Sequence, residues 1–595
     1  MAAPESGSIA SNSQIVAEQI GAQIFIDGWA LVCPGDPERA ADLARRAASV
    51  SHDGEAIYGA QVVAAMEAQA FVEEDIDTLL DVGISVIPKD SVIYRMIDHI
   101  RGWHAGETDW HQGYAKMAAT YNYTNYGGNC HMVPNHGLII LGLLYGGGDL
   151  GESLKVVNTA GWDTDCNSGN LGCLLGIRGG LAAFDDGRDW RGPVAGRLIL
   201  STADGGRAFS DAAAEAQHVA QIGHALAGEA WTAPKEGARF NFELPGSVQG
   251  FWAECDGERA AAADRAAVAN VEGNSATGTR SLRVSAAGTS GAAGRARALA
   301  ATFMQPDQLG HMHYDLAASP TLYPGQRLQI GLRLDADASA PVSVRPLVRV
   351  YDEAKTLDTV HGHEVAAAPG EPTSIDWVVP DTGGQPIAQV GLEYPGANPL
   401  YLDYVDWSGS PQIELARPAD SDTAARDREA VWRRAWVPGV DIWLETGREA
   451  FNLTQNSGRG LLIHGARDWQ DYQVAATVTP IFCGRGGLAA RIQGMRRMYA
   501  LLLESPDTVQ LIKALDGDTV LARSRLAWTA DTPYALRLRA IGNRIEGWVD
   551  GERVVDVTDT DDPLTGGGVA FVVEEGTCSP TPCRCHPPHS RAVAA

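Results

Sequence analysis

The periodicity of the apolar residues changes near residue 235, and this change constrains the fold more than any other feature of the sequence. Before it, apolar residues recur at helical spacing, as in the alanine-rich stretch 59–72. The sequence DPER at 36–39 supplies an N-cap aspartate, a first-turn proline and an early acid, which together are typical of a helix start. We therefore predict an all-α domain over residues 1–235.

After residue 235 the apolar residues recur with period two, between turns rich in Gly, Pro, Asp and Asn. The segments RLQIGL at 327–332 and VSVRPLV at 342–348 are examples, and such short alternating runs indicate β-sandwiches. One sandwich is predicted over 236–415 and a second over 416–576. The first resembles a carbohydrate-binding jelly roll, and the second resembles a concanavalin-like or laminin-G-like sandwich. The predicted fold class is thus multidomain, an all-α domain followed by two β-sandwich domains.

Length, charge and cysteine use narrow the functional classes. A chain of 595 residues is too long for one hydrophobic core. A net charge of −27 argues against nonspecific nucleic-acid binding, because such binding needs a basic surface. The sequence shows no long apolar run and no secretory leader, and most of its nine cysteines are scattered. We therefore expect a cytoplasmic protein without a membrane span.

The end of the sequence, CSPTPCRCHPPH at 578–589, departs from both patterns. Its cysteines and histidines are residue types that bind zinc, but their spacing fits no zinc motif. Because the segment is rich in proline, we predict a disordered tail over 577–595.

The segment GWDTDCNSGN at 161–170 is the most informative stretch for function. It places Asp163 and Asp165 just before small and apolar residues that are typical of a tightly packed helix. Two carboxylates with nearby hydroxyl or carbonyl oxygens suit Mg²⁺, which binds few protein ligands and keeps several waters. The alternative is structural, with Asp163 as a helix N-cap and Asp165 as an acid of the first turn.

This segment resembles the C-terminal metal motif of the ADP-ribosylglycohydrolase family. The similarity covers residues 14–230 and includes AEQIGAQIFID at 17–27 and SHDGEAIYGA at 51–60. The resemblance implies an all-α hydrolase that holds two Mg²⁺ ions and cleaves a glycosidic bond at the anomeric carbon of ribose. It also implies that Asp163 and Asp165 are metal ligands. Cys166 stands where the family commonly has threonine, so that a thiol replaces a hydroxyl ligand.

The other half of the family's metal site is not found in the sequence. Family members carry an N-terminal Gly-x-x-x-Gly-Asp segment and a Thr-Asp-Asp-type cluster, and neither occurs here. The acidic run EEDID at 73–77 follows a predicted helix and is interpreted as a solvated turn. We therefore expect an N-terminally truncated family domain with at least one half-site for Mg²⁺, and we assign no catalytic residue.

A loop at 121–136 and the Ser-His segment near residue 52 supply the other candidates. The loop combines aromatic, amide and imidazole groups with glycine, which suits stacking and hydrogen bonding with a sugar or base. The alternative is a polar connection between helices, in which the histidines act as caps. The predicted substrate-binding residues are His52, Asp53, Tyr126, Gly127, Asn129, His131, Asn135, Trp162 and Asn167.

These features predict a Mg²⁺-dependent glycohydrolase of the ADP-ribosylglycohydrolase type. Its substrate is expected to be a small or glycan-like molecule with an N- or O-glycosidic bond, ADP-ribosyl or a related nucleoside or sugar. The alternative from another class is a catalytically incomplete glycan-binding protein. Four tryptophans of the β domains are predicted either as core residues or as sugar-stacking platforms: Trp252, Trp407, Trp443 and Trp469. The sequence leaves the oligomeric state open.

Overall fold

The chain forms two compact units. The first consists of Met1–Pro193 and Ala216–Thr232, and the second of Val194–Glu215 and Ala233–Ala595. The computed structural model describes residues 8–9, 13–200, 207–255, 266–286, 295–309, 316–352, 354–396, 398–418, 430–446, 450–504 and 507–588. Helices build the first unit and antiparallel strands build most of the second, so the predicted fold class is confirmed.

The helical unit begins its elements at polar caps, as its sequence predicts. Asp36 accepts a hydrogen bond from the Arg39 N–H, and Pro37 occupies the first position of the helix that follows. Short 3₁₀ turns lie at Ile20–Ala22 and Gly180–Phe184. The α-helices are α1 (Gln14–Ala17), α2 (Asp27–Leu31), α3 (Pro37–Ala48), α4 (Glu55–Ala70), α5 (Ile76–Ser85), α6 (Val92–Gly106), α7 (Trp110–Thr120), α8 (Met132–Tyr145), α9 (Leu150–Ala160), α10 (Thr164–Gly179) and α11 (Ala212–Ala227).

Two helices form the centre of this unit. α8 is buried from Met132 to Leu144, and α4 buries most of its length. A helix that is apolar around its whole circumference belongs in a core rather than at a surface. α10 packs against α4, α8 and α9, so polar side chains on its inner face are held among buried helices.

The first part of the second unit is a β-sandwich, which follows a small hairpin of β1 (Arg197–Ile199) and β2 (Phe209–Asp211) and a 3₁₀ turn at Pro234–Gly237. Its strands are β3 (Trp252–Cys255), β4 (Ala266–Glu272), β5 (Arg280–Ala286), β6 (Ala296–Ala301), β7 (Arg327–Leu334), β8 (Val342–Tyr351), β9 (Leu357–His361), β10 (Val365–Ala367), β11 (Pro372–Val378), β12 (Ile387–Tyr394) and β13 (Leu400–Ser408). One sheet has the strand order β10-β8-β12-β6-β3 with β9 beside β8, and the other has the order β11-β7-β13-β5-β4.

The core of this sandwich lies between the two sheets. On β7 the alternate residues Leu328, Ile330 and Leu332 are all buried. They share one hydrophobic cluster with Val390 and Leu392 of β12, which belongs to the other sheet. Apolar residues from both sheets therefore meet in a single core, as the period-two pattern predicts.

The second part of this unit is a larger antiparallel sheet system. Its elements are β14 (Ile413–Leu415), α12 (Val431–Arg434), β15 (Val437–Gly439), β16 (Ile442–Thr446), β17 (Ala450–His464), β18 (Tyr472–Gly494), β19 (Arg497–Glu504), β20 (Thr508–Leu515), β21 (Asp518–Arg525), β22 (Tyr534–Ile541), β23 (Arg544–Val549), β24 (Glu552–Thr558), β25 (Gly568–Pro580) and β26 (Cys583–His586). The longest strand, β18, pairs with four other strands along its length and so joins the layers of the system. The domain boundaries predicted at 235 and 415 stay predictions.

The predicted disordered tail is wrong for residues 577–588. β25 extends to Pro580, and β26 pairs antiparallel with β14 and β18. Cys578, Cys583 and Cys585 are buried. Cysteine packs as a small apolar residue, so Cys-x-Cys is a period-two strand pattern that the surrounding prolines obscure. Residues 589–595 lie outside the described part of the chain.

Three further predictions concern surface and core positions. Among the described residues, no helix is long and apolar enough to cross a membrane. The run at 73–77 leads into α5: Asp75 caps this helix, and Asp77, in its first turn, pairs with Arg101. Trp407, Trp443 and Trp469 are buried core residues, whereas Trp252 is half-buried. The cytoplasmic location stays a prediction.

Candidate functional site

Asp163 lies at the N-terminus of α10, but its side chain does not cap the helix. Its Oδ2 atom is buried and accepts no hydrogen bond from any described residue. The backbone N–H of Asp163 donates to Asn135 Oδ1 at 3.3 Å, which fixes the residue in place. A buried carboxylate oxygen without a partner is costly, so the capping alternative does not account for this side chain.

Asp163, Asp165 and Cys166 form one group. Each offers a ligand atom, and these atoms all lie within 4.8 Å of one another. The N–H of Cys166 and a hydrogen bond with the Asp163 carboxyl lower the pKa of the exposed Asp165. Burial, together with Asp163, raises the pKa of the Cys166 thiol to about 12. The group therefore combines carboxyl oxygens with a thiol that stays protonated at neutral pH.

Cys130 is a member of this site that the sequence prediction missed. Its thiol adjoins the Asp163 carboxylate, and burial followed by that negative charge raises the pKa of Cys130. The residue stands between the predicted Asn129 and His131, so its position in the loop was the available signal. Two thiols, from Cys130 and Cys166, thus face one carboxylate.

Asn135 connects the loop to α10. This fully buried amide accepts hydrogen bonds at Oδ1 from the Tyr123 hydroxyl at 3.1 Å and from Asn167 Nδ2 at 3.2 Å. Its Nδ2 donates to the backbone oxygen of His131 at 3.0 Å. Tyr123 was not predicted individually, although it lies in the predicted loop. The network holds the first turn of α10 against α8.

Trp162 presents an aromatic face beside the acidic group. Its backbone φ of 62° is in the left-handed region, which a bulky side chain rarely adopts. Its ring lies 5.4 Å from that of Tyr123 and 5.8 Å from that of Tyr114. Gly161, with φ 83°, precedes it and ends α9. This strained turn places an aromatic side chain directly before Asp163.

The donor set fits Mg²⁺ in part. Two more buried oxygens near the start of α10, Asn167 Oδ1 and Ser168 Oγ, have no hydrogen-bond partner within the described ranges. The two carboxylates are hard oxygen ligands of the kind Mg²⁺ prefers, whereas the Cys166 thiol is a soft ligand. The fit therefore rests on Asp163 and Asp165.

His131 lies beside Glu18, and both residues are buried. Its Nε2 atom lies 3.5 Å from Glu18 Oε2, and its Nδ1 accepts a hydrogen bond from the Val133 N–H at the start of α8. Burial alone would raise the pKa of Glu18, but hydrogen bonds from His131 and the Glu55 N–H lower it overall. The Tyr126 ring lies 5.4 Å from the His131 ring. His131 is thus both a helix cap and a close neighbour of the buried Glu18 carboxyl group.

The remaining predicted residues are more dispersed. His52 is half-buried, its Nδ1 lies 2.7 Å from Ser51 Oγ, and burial lowers its pKa. Asp53 accepts hydrogen bonds from the N–H groups of Ile9 and Gly54.

Gly127 and Asn129 lie on the loop itself. A Cβ atom on Gly127 would come within 3.0 Å of the Ile15 side chain, so the loop approaches that segment closely. Asn129 is exposed. The structure therefore brings together Trp162, Asp163, Asp165, Cys166 and the amides of Asn135 and Asn167, while the roles of all predicted site residues stay predictions.

Part of the chain is similar to a known protein family. Residues 2–221 match the model of the family described as ADP-ribosylglycohydrolase. The search of curated proteins gives no match.

Several solved structures show a distant likeness. The carbohydrate-binding module CBM66 from Bacillus subtilis is 19% identical, with 25% of this chain and 94% of that chain covered and a TM-score of 0.23. The C-terminal family 22 carbohydrate-binding module of Clostridium thermocellum Xyn10B is 14% identical, with 30% and 96% covered and a TM-score of 0.21. Because these scores are low, the likenesses carry no functional argument. The resemblance predicted from the sequence is confirmed for residues 2–221, which match the ADP-ribosylglycohydrolase family.

Proposed function

We propose that the protein is a Mg²⁺-dependent glycohydrolase of the ADP-ribosylglycohydrolase type. The observation that carries this proposal is the buried Asp163 Oδ2, which has no hydrogen-bond partner among the described residues and lies beside Asp165. The family match over residues 2–221 supports a glycohydrolase-type reaction. The substrate class is an ADP-ribosyl or related nucleoside or sugar compound with an N- or O-glycosidic bond.

Asp163 and Asp165 would hold the metal. When bound, Mg²⁺ would supply a Lewis acid for substrate oxygens and for a water molecule. Asn135 positions this pair indirectly, because its Oδ1 accepts the hydrogen bond from the Asp163 N–H. Cys166 would be a weak third ligand, since its protonated thiol suits Mg²⁺ poorly.

The residues around the pair would bind and orient the sugar or base. Trp162 offers a face for stacking, and Asn167 has a free amide oxygen in the described structure. Tyr126, Gly127, Asn129 and His131 would contribute from the loop. His52 and Asp53 are proposed as further substrate contacts.

A calorimetric titration with Mg²⁺ tests the metal site. We expect the wild type to bind Mg²⁺, and Asp163→Asn and Asp165→Asn each to weaken binding by on the order of 100-fold, because each removes one charged ligand. Asp109→Asn is the matched control, since Asp109 is an exposed helix cap whose replacement by asparagine preserves capping. Release of ADP-ribose from N- and O-linked ADP-ribosyl substrates is measured on the same proteins. Equal binding by all four proteins, with no release, would contradict the proposal.

A second candidate is a protein that binds such ligands without hydrolysing them. One observation favours it: both carboxylates of the group come from the same end of α10, and no third carboxylate joins them in the described residues. Binding of ADP-ribose without turnover of any substrate, in the presence of Mg²⁺, would support this candidate over the first.

A further inference from the structure

Asp27, Glu67 and Cys173 form a second group of potential ligands, on three different helices. Asp27 begins α2, Glu67 lies in α4, and Cys173 lies in α10. One ligand atom from each lies within 4.8 Å of the other two. We propose that this group is a metal site for a dication of the Zn²⁺ class, distinct from the Asp163 site.

The burial of the unpaired Glu67 carboxyl group indicates that this group binds a ligand. Glu67 is 0% exposed, and neither of its carboxylate oxygens has a hydrogen-bond partner among the residues that the structure describes. A buried carboxyl group needs a proton, a cation or several donors to offset its desolvation. The Asp27 carboxylate and the Cys173 thiol each bring an atom within 4.8 Å of a Glu67 carboxylate oxygen, and both are metal ligands by type.

The chemistry of the donors distinguishes this group from the first. Two carboxylates and a thiol suit Zn²⁺, which accepts sulfur and oxygen ligands in a tetrahedral site and leaves a fourth position for water. Cys173 follows Cys166 by seven residues on α10, which places it about 10 Å further along the helix. The two groups are therefore separate sites.

Hydrogen bonds behind the group orient one of its ligands. Asn170 Nδ2 donates to Asp27 Oδ1 at 2.7 Å, and Asn170 Oδ1 accepts from Gln23 Nε2 at 3.2 Å. Gln23 Oε1 in turn lies 2.7 Å from His136 Nδ1. Such outer hydrogen bonds typically fix the carboxylate of a metal site.

Two residues of the group are less deeply buried than Glu67. Asp27 and Cys173 are half-buried, and Gly28 is exposed with no atom within 4 Å of a Cβ built on it. Glu67 is fully buried. The group therefore extends from the core of the helical unit towards Asp27, which is nearer the surface.

Titration of the metal-free full-length protein with Co²⁺ tests the proposal, because a cobalt–thiolate bond gives a charge-transfer absorption. We expect this absorption in the wild type and its reversal by Zn²⁺. Cys173→Ser should abolish it, and Glu67→Gln and Asp27→Asn should each weaken binding by on the order of 100-fold. Cys33→Ser, which removes another buried thiol of the same unit, and Asp163→Asn should leave it unchanged.

Two results would overturn the proposal. One is the absence of cobalt–thiolate absorption in the wild type, which would mean that Asp27 and Glu67 share a proton instead. The other is absorption that survives Cys173→Ser but is lost in Cys166→Ser, which would assign the thiolate to the first group. Far-UV circular dichroism checks that each variant folds. If Glu67→Gln does not fold, Asp27→Asn provides the test, because Asp27 is only half-buried. The proposal does not rest on the proposed function, since neither hydrolysis nor Mg²⁺ enters this experiment.

Discussion

Asn135 Oδ1 accepts a hydrogen bond from Asn167 Nδ2 at 3.2 Å, which ties α8 to α10 behind the Asp163 carboxylate. The same oxygen accepts from the Asp163 N–H and the Tyr123 hydroxyl. A single buried amide thus connects the loop, the central helix and the first turn of α10. Its removal would leave several buried donors without a partner.

Asn135→Ala should lower the free energy of unfolding of the helical unit by on the order of 2–4 kcal/mol, because each buried group left unpaired costs about 1–3 kcal/mol. Urea denaturation followed by helix ellipticity measures the change. Asn158→Ala is the control, since Asn158 is exposed and bonds only the Leu154 oxygen within its own helix in the described structure. Equal losses for the two variants would contradict the structural role of Asn135.

Cys166→Thr should tighten Mg²⁺ binding by on the order of tenfold, because a hydroxyl is a harder ligand than a protonated thiol. Calorimetric titration measures the affinity. Cys166→Ala is the matched control, as it removes the thiol without supplying an oxygen. If the threonine and alanine variants bind equally, position 166 does not contribute a ligand.

The sequence predicted the acidic pair and the helix that carries it, because Asp-x-Asp before small apolar residues is a local pattern. It also predicted Asn135 and Asn167 as site residues, although not the hydrogen bond between them. Two residues 32 apart in sequence meet there only because α8 and α10 pack together. Contacts of this kind depend on tertiary packing, which no local pattern specifies.

The group of Asp27, Glu67 and Cys173 could not be predicted from a local sequence pattern either. Glu67 lies in an alanine-rich helix whose pattern gives no indication of a buried acid. Asp27 and Cys173 are separated by 146 positions in the sequence, and they meet only in the folded chain. The C-terminal strand β26 was missed for a different reason. There the composition of the segment, rich in proline and cysteine, outweighed its period-two pattern.

The stability of the second unit should fall as pH drops below about 6.5, in part because of His464. Its ring is buried between Tyr323 and Trp436, and burial lowers its pKa to about 3. The unfolded chain therefore binds a proton between pH 6.5 and about 3 that the folded chain does not, so the free energy of unfolding rises with pH there. His464→Phe should reduce this slope by about 1.4 kcal/mol per pH unit. Urea denaturation at several pH values measures the slope, and replacement of the exposed His363 by glutamine should leave it unchanged.

Lys235→Met should lower the free energy of unfolding of the second unit by about 3–5 kcal/mol, because it leaves the buried Asp403 and the half-buried Glu243 without their cation. Lys235 Nζ lies 2.8 Å from Asp403 Oδ1 and 3.1 Å from Glu243 Oε1, and its side chain is 1% exposed. The exposed pair of Lys155 and Glu152, at 2.8 Å in the first unit, is the control, and Lys155→Met should lower the free energy of unfolding of that unit by less than about 1 kcal/mol. Adding Asp403→Asn to Lys235→Met should recover part of the loss, since the two residues are in contact and their effects are not additive. Chemical denaturation measures all four proteins, and a loss for Lys235→Met no larger than that for Lys155→Met would show that burial adds nothing to this ion pair.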